Sequence, residues 1–194
     1  MYSILTSIVV PRPIAWVSTR SAEGVDNLAP HSFYTVACVN PPVVQFTSVG
    51  RKDSLRNVEE TREFVINLTT ESLFEQINAT GTNFPIEQSE FEEVGIAMEP
   101  AETVAPYRVA SSPAAIECEL HSTLTMGDST VIFGRVRLVA ISESVLRDGR
   151  PAIDLLAPLS RLGGSEWASV GAVRRVARLG YEKWNQQRPT AHRT

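Results

Sequence analysis

The apolar residues of this chain come in short runs that glycine and proline interrupt, and this spacing constrains the fold more than any other feature. The 11 glycines and 12 prolines leave little room for long helices. Runs at 14–19, 43–48 and 64–68 have the length of strands and are rich in β-branched and aromatic residues, which suit a half-buried sheet. The pattern therefore predicts a mainly β domain.

Later in the chain, apolar and polar residues alternate most regularly at 115–124, with Glu117, Glu119 and His121 on the polar face. A turn at 126–129 and a second run at 131–141 complete a predicted hairpin, with Gly134 as a candidate bulge. Short helices are predicted at 53–61 and 71–78, and a capping box at 89–92 predicts a single turn. Strand pairs with small helices between them favour a closed or nearly closed antiparallel barrel.

Charge and composition exclude several classes of protein. The formal net charge of -4 gives no basic surface for nucleic acid, and no apolar run approaches the roughly 20 residues that cross a membrane. The two cysteines are far apart and the three histidines have no ligand spacing, so neither a disulfide framework nor a metal site is expected. A reducing cytoplasm is the simplest location.

The most informative segment runs from 43 to 60. An apolar strand is followed by a glycine turn, two cations and two hydroxyl residues, and then by the start of a helix whose free N–H groups favour an anion. Arg51 and Lys52 could hold a phosphate without a Walker loop, and Asp53 is expected to be the helix N-cap. The alternative from this stretch alone is an ordinary capped helix with solvated cations.

Two other segments carry unusual groups of side chains. The loop at 27–34 combines amide, hydroxyl, imidazole and aromatic groups that could bind the edge of a flat polar ring, although His31 is more often structural. Arg12 lies between two prolines, so its guanidinium could point at a fixed acceptor. For that side chain, an exposed arginine at the entry of an edge strand is the favoured interpretation.

In domain organisation, residues 1–168 are expected to form one domain and 169–194 a basic, aromatic C-terminal extension. In the extension, Val173, Val176, Ala177 and Trp184 fit one helical face loosely. The extension could pack on a second subunit or remain solvated.

Six motifs in order give a resemblance to a known family. They are P-R-P-I-A-W-V-S-T, N-L-A-P-H-S-F, N-P-P-V-V-Q-F, S-V-G-R-K-D-S, E-F-V-I-N-L and P-L-S-R-L-G-G-S-E-W, spread over about residues 10 to 168. In this the chain resembles the flavin reductase-like family of FMN-binding split-barrel proteins, which includes flavoredoxin. The resemblance implies an antiparallel split β-barrel of Greek-key type, with a few short helices, that forms a homodimer with FMN near the interface.

The resemblance also implies which residues bind the flavin. Around the phosphate it places Ser48, Val49, Gly50, Arg51, Lys52, Asp53 and Ser54. Along the ribityl chain and ring it places Asn27, Leu28, Ala29, Pro30, His31 and Ser32, and close to the flavin or the interface Arg161 and Trp167. No catalytic side chain is required because the cofactor carries the chemistry, and His31 is the one candidate.

Three functions remain open from the sequence. The first is an FMN-dependent oxidoreductase that passes electrons from NAD(P)H, a transient co-substrate, to a flavin or another small acceptor. The second, the alternative to the first, is an FMN-binding electron carrier without direct NAD(P)H use, which is motivated by Ser129 because several reductases of the family have there a histidine implicated in nicotinamide use. The third is a barrel that binds another phosphate ligand without catalysis.

Overall fold

Fourteen strands carry most of the fold in the computed structural model, which describes residues 1–187. They are β1 (Arg12–Pro13), β2 (Ala15–Arg20), β3 (Asp26–His31), β4 (Tyr34–Cys38), β5 (Val43–Val49), β6 (Glu63–Leu68), β7 (Met98–Glu99), β8 (Arg108–Val109), β9 (Ala114–Met126), β10 (Ser129–Ile141), β11 (Leu146–Arg147), β12 (Arg150–Pro151), β13 (Leu159–Arg161) and β14 (Trp167–Ser169). The helices are α1 (Tyr2–Ile8), α2 (Asp53–Thr61), α3 (Phe74–Ala79), α4 (Glu90–Val94), α5 (Ile153–Leu156) and α6 (Tyr181–Gln187), with 3-10 turns at Glu71–Leu73 and Glu143–Val145.

Seven antiparallel strands form the main sheet, in the order β3-β2-β6-β9-β10-β5-β4. The two edge strands, β3 and β4, are consecutive in the chain, and the ring centroid of His31 lies 4.8 Å from that of Phe46 on β5. The sheet therefore curves back on itself without a hydrogen-bonded ladder between its edges. A small sheet in the order β1-β13-β14 lies apart from it. The predicted mainly β, antiparallel architecture with few short helices is confirmed.

The strand β2 is buried along almost its whole length because it separates two cores. Ala15 and Val17 pack inside the barrel with Phe46 and Phe64. Trp16, between them in sequence, points the other way into a second core that lies under the short helices. Successive side chains of a strand point to opposite faces, so the unbroken apolar run at 14–17 indicates a segment covered on both sides.

The predicted hairpin is β9 and β10, and its bulge is where the glycine pattern placed it. The pairing register between the two strands shifts at Phe133/Gly134. A Cβ atom on Gly134 would overlap the ring of Phe64, so the close approach of that ring requires glycine here.

A buried ion pair attaches the segment before β9 to the sheet. Glu117 is fully buried, and its carboxylate accepts hydrogen bonds from Arg108 Nε at 2.8 Å, from the Thr103 backbone at 2.7 Å and from the Glu102 backbone at 2.9 Å. The alternation had grouped Glu117 with Glu119 on one polar face. In the fold Glu119 and His121 are exposed, whereas the segment that carries Arg108 covers Glu117.

Two local expectations for helices are wrong. The capping box at 89–92 does not form, because the Ser89 hydroxyl has no hydrogen-bond partner among the described residues. In the C-terminal extension, residues 170–180 have no regular structure and α6 begins only at Tyr181, so Val173, Val176 and Ala177 do not share a helical face with Trp184. Residues 188–194 of the extension lie outside the described part, and the division at residue 168 stays a prediction. Over residues 1–187, no helix is long and apolar enough to span a membrane.

Candidate functional site

Two clefts that meet at Pro30 and Gly81 form the candidate site. The first, here called the α2 cleft, has a volume of about 310 Å³ and lies against the end of β3, the start of α2 and the loop at 80–84. The second, the α1 cleft, has a volume of about 420 Å³ and lies against α1, β1 and the hairpin of β13 and β14. Each is within the size range of small-molecule sites, and together they form an elongated one.

Most of the residues predicted to bind a cofactor line these clefts. The α2 cleft is lined by Asn27, Ala29, Pro30, His31, Arg51, Lys52, Asp53 and Ser54. The α1 cleft is lined by Pro30, Ser32, Arg161 and Trp167. Neither is lined by Leu28, which is buried in the second core, nor by Ser48, Val49 or Gly50. The structure therefore brings the two predicted segments, near residues 27–31 and 51–54, together around the α2 cleft.

The turn between β5 and α2 delivers the two cations to the α2 cleft. Gly50 has φ of +77°, which favours glycine, and its N–H donates to the Asp128 carbonyl in the β9–β10 turn at 2.8 Å. The Ser48 hydroxyl donates to the Gly50 carbonyl at 2.9 Å. Ser48 and Gly50 thus brace the turn from behind, and their side-chain and backbone groups do not line the cleft.

The first turn of α2 has no side-chain cap. The N-cap is Lys52 and not Asp53, so the predicted cap is wrong by one position. The Asp53 carboxylate accepts instead from Arg56 Nη1 at 2.7 Å, within the first turn of the helix. Because the first N–H groups of a helix lack intrahelical acceptors and carry the positive end of its dipole, an anion in the α2 cleft would be stabilised there.

The two cations beside this turn have different partners. Lys52 Nζ donates to Asn83 Oδ1 at 3.1 Å and so links α2 to the loop at 80–84. Arg51 lies 2.7 Å from the Glu59 carboxylate in an ion pair whose arginine side chain is 65% exposed. An exposed pair of this kind is worth little, so Arg51 can exchange its partner for a ligand at small cost.

A buried network forms the floor of the α2 cleft. Asn27 Nδ2 lies 3.0 and 2.9 Å from the two carboxylate oxygens of Glu90, and Leu28 N–H donates to the same carboxylate at 2.9 Å. On its other side, Asn27 Oδ1 accepts from the Ser54 hydroxyl at 3.1 Å. The amide and the hydroxyl are thus used within the protein, and they shape the cleft more than they reach into it.

His31 is held in its neutral form. Burial lowers its pKa to about 4 from an ordinary 6.5, a hydrogen bond with the Thr47 backbone opposes that shift, and the charge of Lys52 adds to it. His31 Nε2 lies 3.2 Å from the Ser54 hydroxyl, and the ring packs on Phe46. A buried neutral imidazole with these contacts fits a structural role better than that of a proton donor at neutral pH.

This burial predicts a dependence of stability on pH. Between about 6.5 and about 4 the unfolded chain takes up a proton at His31 that the folded chain does not, so the free energy of unfolding should fall as the pH is lowered through this window. Urea unfolding at stepwise pH should show a shallower fall for His31→Asn than for the unsubstituted chain. The matched control is His121→Asn at an exposed position, which should keep the original slope. If the free energy of unfolding falls as steeply with pH for His31→Asn as for the control, this assignment is contradicted.

Arg12 is buried, and its favoured interpretation as an exposed edge residue is wrong. It is 7% exposed and donates to the carbonyls of Thr6, Val9 at 2.8 Å and Leu162 at 2.6 Å. These contacts join the end of α1 and the loop after β13 to β1. The guanidinium therefore holds two walls of the α1 cleft together. The three carbonyls are the fixed acceptors that the flanking prolines suggested for this side chain.

Arg161 and Trp167, both predicted from the last motif, lie together on the hairpin of β13 and β14 at the α1 cleft. The Arg161 guanidinium is 4.8 Å from the centroid of the Trp167 ring, and its Nη2 donates to the Gly164 carbonyl at 2.8 Å. Trp167 in turn packs edge to face on Phe74, with centroids 5.3 Å apart. Cation–π contact and the aromatic pair give this wall a fixed shape.

Sequence reasoning missed two parts of the site. The loop at 80–84 is held in place by the hydrogen bond from Trp16 Nε1 to Thr80 Oγ1 at 2.8 Å, and the small residues Thr80, Gly81 and Thr82 were its only sequence signal. The apolar segment at 4–10 carries no signal of a site in the sequence, whereas α1 contributes Tyr2, Ser3 and Thr6 to its cleft. Across residues 1–187, no group of three His, Cys, Asp or Glu side chains could hold a metal ion.

Comparison with known proteins identifies a family and similar structures. The model of the Flavin reductase like domain matches residues 7–156. Nitrilotriacetate monooxygenase component B from Bacillus cereus is 31% identical, with a TM-score of 0.87 over 90% of this chain and 92% of that one. The 2-nitrobenzoate 2-nitroreductase NbaA of Pseudomonas fluorescens is 30% identical, with a TM-score of 0.86 over 93% and 91%. A split barrel domain protein from Shewanella frigidimarina NCIMB 400, at 18% identity and a TM-score of 0.85 over 91% of each chain, has the same fold.

Proposed function

The chain belongs to the Flavin reductase like domain family, and on that premise we propose that it is an FMN-dependent oxidoreductase that passes electrons from NAD(P)H to a flavin or another acceptor. The similar proteins named as a monooxygenase component and a nitroreductase support a reductive role. When bound, FMN supplies the redox chemistry, and the residues of this chain bind and orient it.

The observation that carries this proposal is the uncapped start of α2 beside two cations. The FMN phosphate is assigned to the α2 cleft, where the first-turn N–H groups, Lys52 and Arg51 converge. Charge-assisted hydrogen bonds of this kind contribute about 1.5 to 3 kcal/mol each. The flavin ring is assigned to the junction of the two clefts at Pro30 and Gly81, because a cofactor of this length exceeds the α2 cleft.

The direct test is a visible spectrum of the purified chain, followed by anaerobic addition of NADH or NADPH. We expect flavin absorption bands that either nucleotide bleaches, and steady-state nucleotide oxidation well above that of free FMN. Oxidation no faster than with free FMN would contradict the reductase.

A second candidate is an electron carrier, and the β9–β10 turn favours it. Because residue 129 is serine, this turn offers no imidazole to a nicotinamide. The Ser129 hydroxyl donates instead to the Asp128 carboxylate at 2.8 Å. The hydrogen bond from Gly50 N–H to the Asp128 carbonyl links this turn to the turn that carries Arg51 and Lys52. Tightly bound FMN that neither nucleotide reduces would favour the carrier over the reductase.

We also propose a homodimer in the cytoplasm, with FMN near the interface. The support for a dimer is α1, where Ile4, Leu5, Ile8 and the following Val9 are each more than half exposed. The support for a cytoplasmic location is that both cysteines, Cys38 and Cys118, are free thiols, which persist in a reducing compartment. Sedimentation equilibrium should give the mass of two chains, and Ile4→Asp with Ile8→Asp should shift it toward one. A monomeric parent protein would contradict the dimer.

A further inference from the structure

Three side chains form a row across the small sheet at the wall of the α1 cleft. In the β1–β13 pairing Arg12 lies opposite Arg161, and in the β13–β14 pairing Arg161 lies opposite Trp167. Residues directly opposite each other in antiparallel strands share a face, and all three line the cleft. This row presents two guanidinium groups and an indole side by side.

The positive charge of this row has no acidic counterpart in the cleft. The α2 cleft is lined by Asp53 and Glu90 as well as by its cations, whereas no described Asp or Glu lines the α1 cleft. Like charges directly opposite each other on a sheet destabilise the pair. The chain as a whole has a net charge of -4, so a cluster of positive charge without acidic neighbours is unusual for it. A bound anion would offset the repulsion between the two arginines.

The two arginines contribute in different ways. Arg12 is almost fully buried and its guanidinium is engaged by three carbonyls, so it adds a fixed charge behind the wall. Arg161 is half-buried, donates to one carbonyl and forms no ion pair with any residue in the described range 1–187. It is therefore Arg161 that has donors available for a ligand.

The surroundings of Arg161 indicate what shape of anion would fit. Its guanidinium carbon lies 4.8 Å from the centroid of the Trp167 ring, and a guanidinium can bind a carboxylate through two parallel hydrogen bonds. Trp167, Ile14 and Pro30 give the same cleft apolar surface for a flat ring.

We propose that the α1 cleft binds an aromatic carboxylate beside the flavin site, with Arg161 as the residue that recognises its charge. The inference rests on the proposed function, because it places this ligand next to a flavin in the joined clefts. A nucleotide phosphate offers a negative charge as well, and the experiment separates the two sources.

The test compares benzoate with benzamide, which has the same ring without the charge. The full chain is loaded with FMN, loading is checked by visible absorption, and each probe is titrated by calorimetry. We expect benzoate to bind at least about 10-fold more tightly, as one charged hydrogen-bonded contact supports. Arg161→Gln should abolish the difference and Arg161→Lys should keep part of it. The control, Arg137→Gln, changes an exposed arginine outside both clefts and should leave the difference intact.

Three outcomes would overturn the inference. Equal affinities for the two probes in the unsubstituted chain would do so without any variant. A benzoate preference that survives Arg161→Gln would remove Arg161 from the site. A preference for NADPH over NADH that Arg161→Gln abolishes, with no benzoate preference, would assign the row to a nucleotide phosphate. A chain that takes up no FMN fails the proposed function instead, and the same titration of the flavin-free chain still tests the row.

Discussion

Replacing Arg51 and Lys52 together with alanine should raise the dissociation constant for FMN by about 100-fold or more, while that for riboflavin changes by less than about threefold. Each side chain is assigned one charge-assisted contact with the phosphate, worth about 1.5 to 3 kcal/mol, and every 1.4 kcal/mol is about tenfold in affinity. Riboflavin lacks the phosphate, so it should not sense the change. Fluorescence titration of both flavins measures the ratio directly.

The single variants and a matched control make this result specific. Arg51→Ala and Lys52→Ala should each lower the preference for FMN by about tenfold. Arg147→Ala removes an exposed arginine that pairs with Asp154 as Arg51 pairs with Glu59, but outside both clefts, so FMN affinity should persist. If both single variants keep the full preference for FMN over riboflavin, the phosphate does not bind at the start of α2.

The largest loss of stability is expected from Glu117→Leu. It leaves Arg108, which is 7% exposed, without its closest acidic partner, and breaking a buried ion pair from one side costs about 3 to 5 kcal/mol. For a chain of this length that corresponds to a fall in Tm of roughly 6 to 20 °C, measurable by calorimetry.

The same strand provides the control for this prediction. Glu119, two residues further along, pairs with Arg137 at 3.3 Å with both side chains about half exposed, and Glu119→Gln should cost less than about 1 kcal/mol. Arg108→Met combined with Glu117→Leu should recover part of the loss, because no buried charge then remains unpaired. Equal effects of the two glutamate substitutions would show that the buried pair does not anchor this segment.

The elements that could be predicted are those that local sequence determines. The run at 14–19 indicates a strand because its residues are β-branched or apolar at every position except Ser18, and the polar turn before α2 predicts a helix at 53–61. For the site, the cations after β5 were predicted because a glycine turn and a helix start are local features. The unusual combination of polar groups at 27–34 likewise indicates the segment whose residues at 27 and 29–31 line the α2 cleft.

What could not be predicted depends on contacts between distant segments. The local pattern at 89–92 indicates a capping box between Ser89 and Glu92, but no side-chain cap forms there, and the helix is held instead through Glu90, whose carboxylate accepts from Asn27, 63 residues away. Arg12 reaches the Leu162 carbonyl across 150 residues, and this distance hides its burial from any local pattern. In both cases a tertiary hydrogen bond overrides the local preference, and only the fold shows which acceptor is near.

The position of β2 between two cores has a consequence for how the protein opens. Ala15 and Val17 belong to the barrel interior, while Trp16 holds the cleft loop through Thr80. Local opening of the loop at 80–84 or of the second core should therefore loosen the same strand that completes the barrel. Amide exchange in β2 is then limited by global unfolding, and the wall of the cleft and the barrel form one cooperative unit.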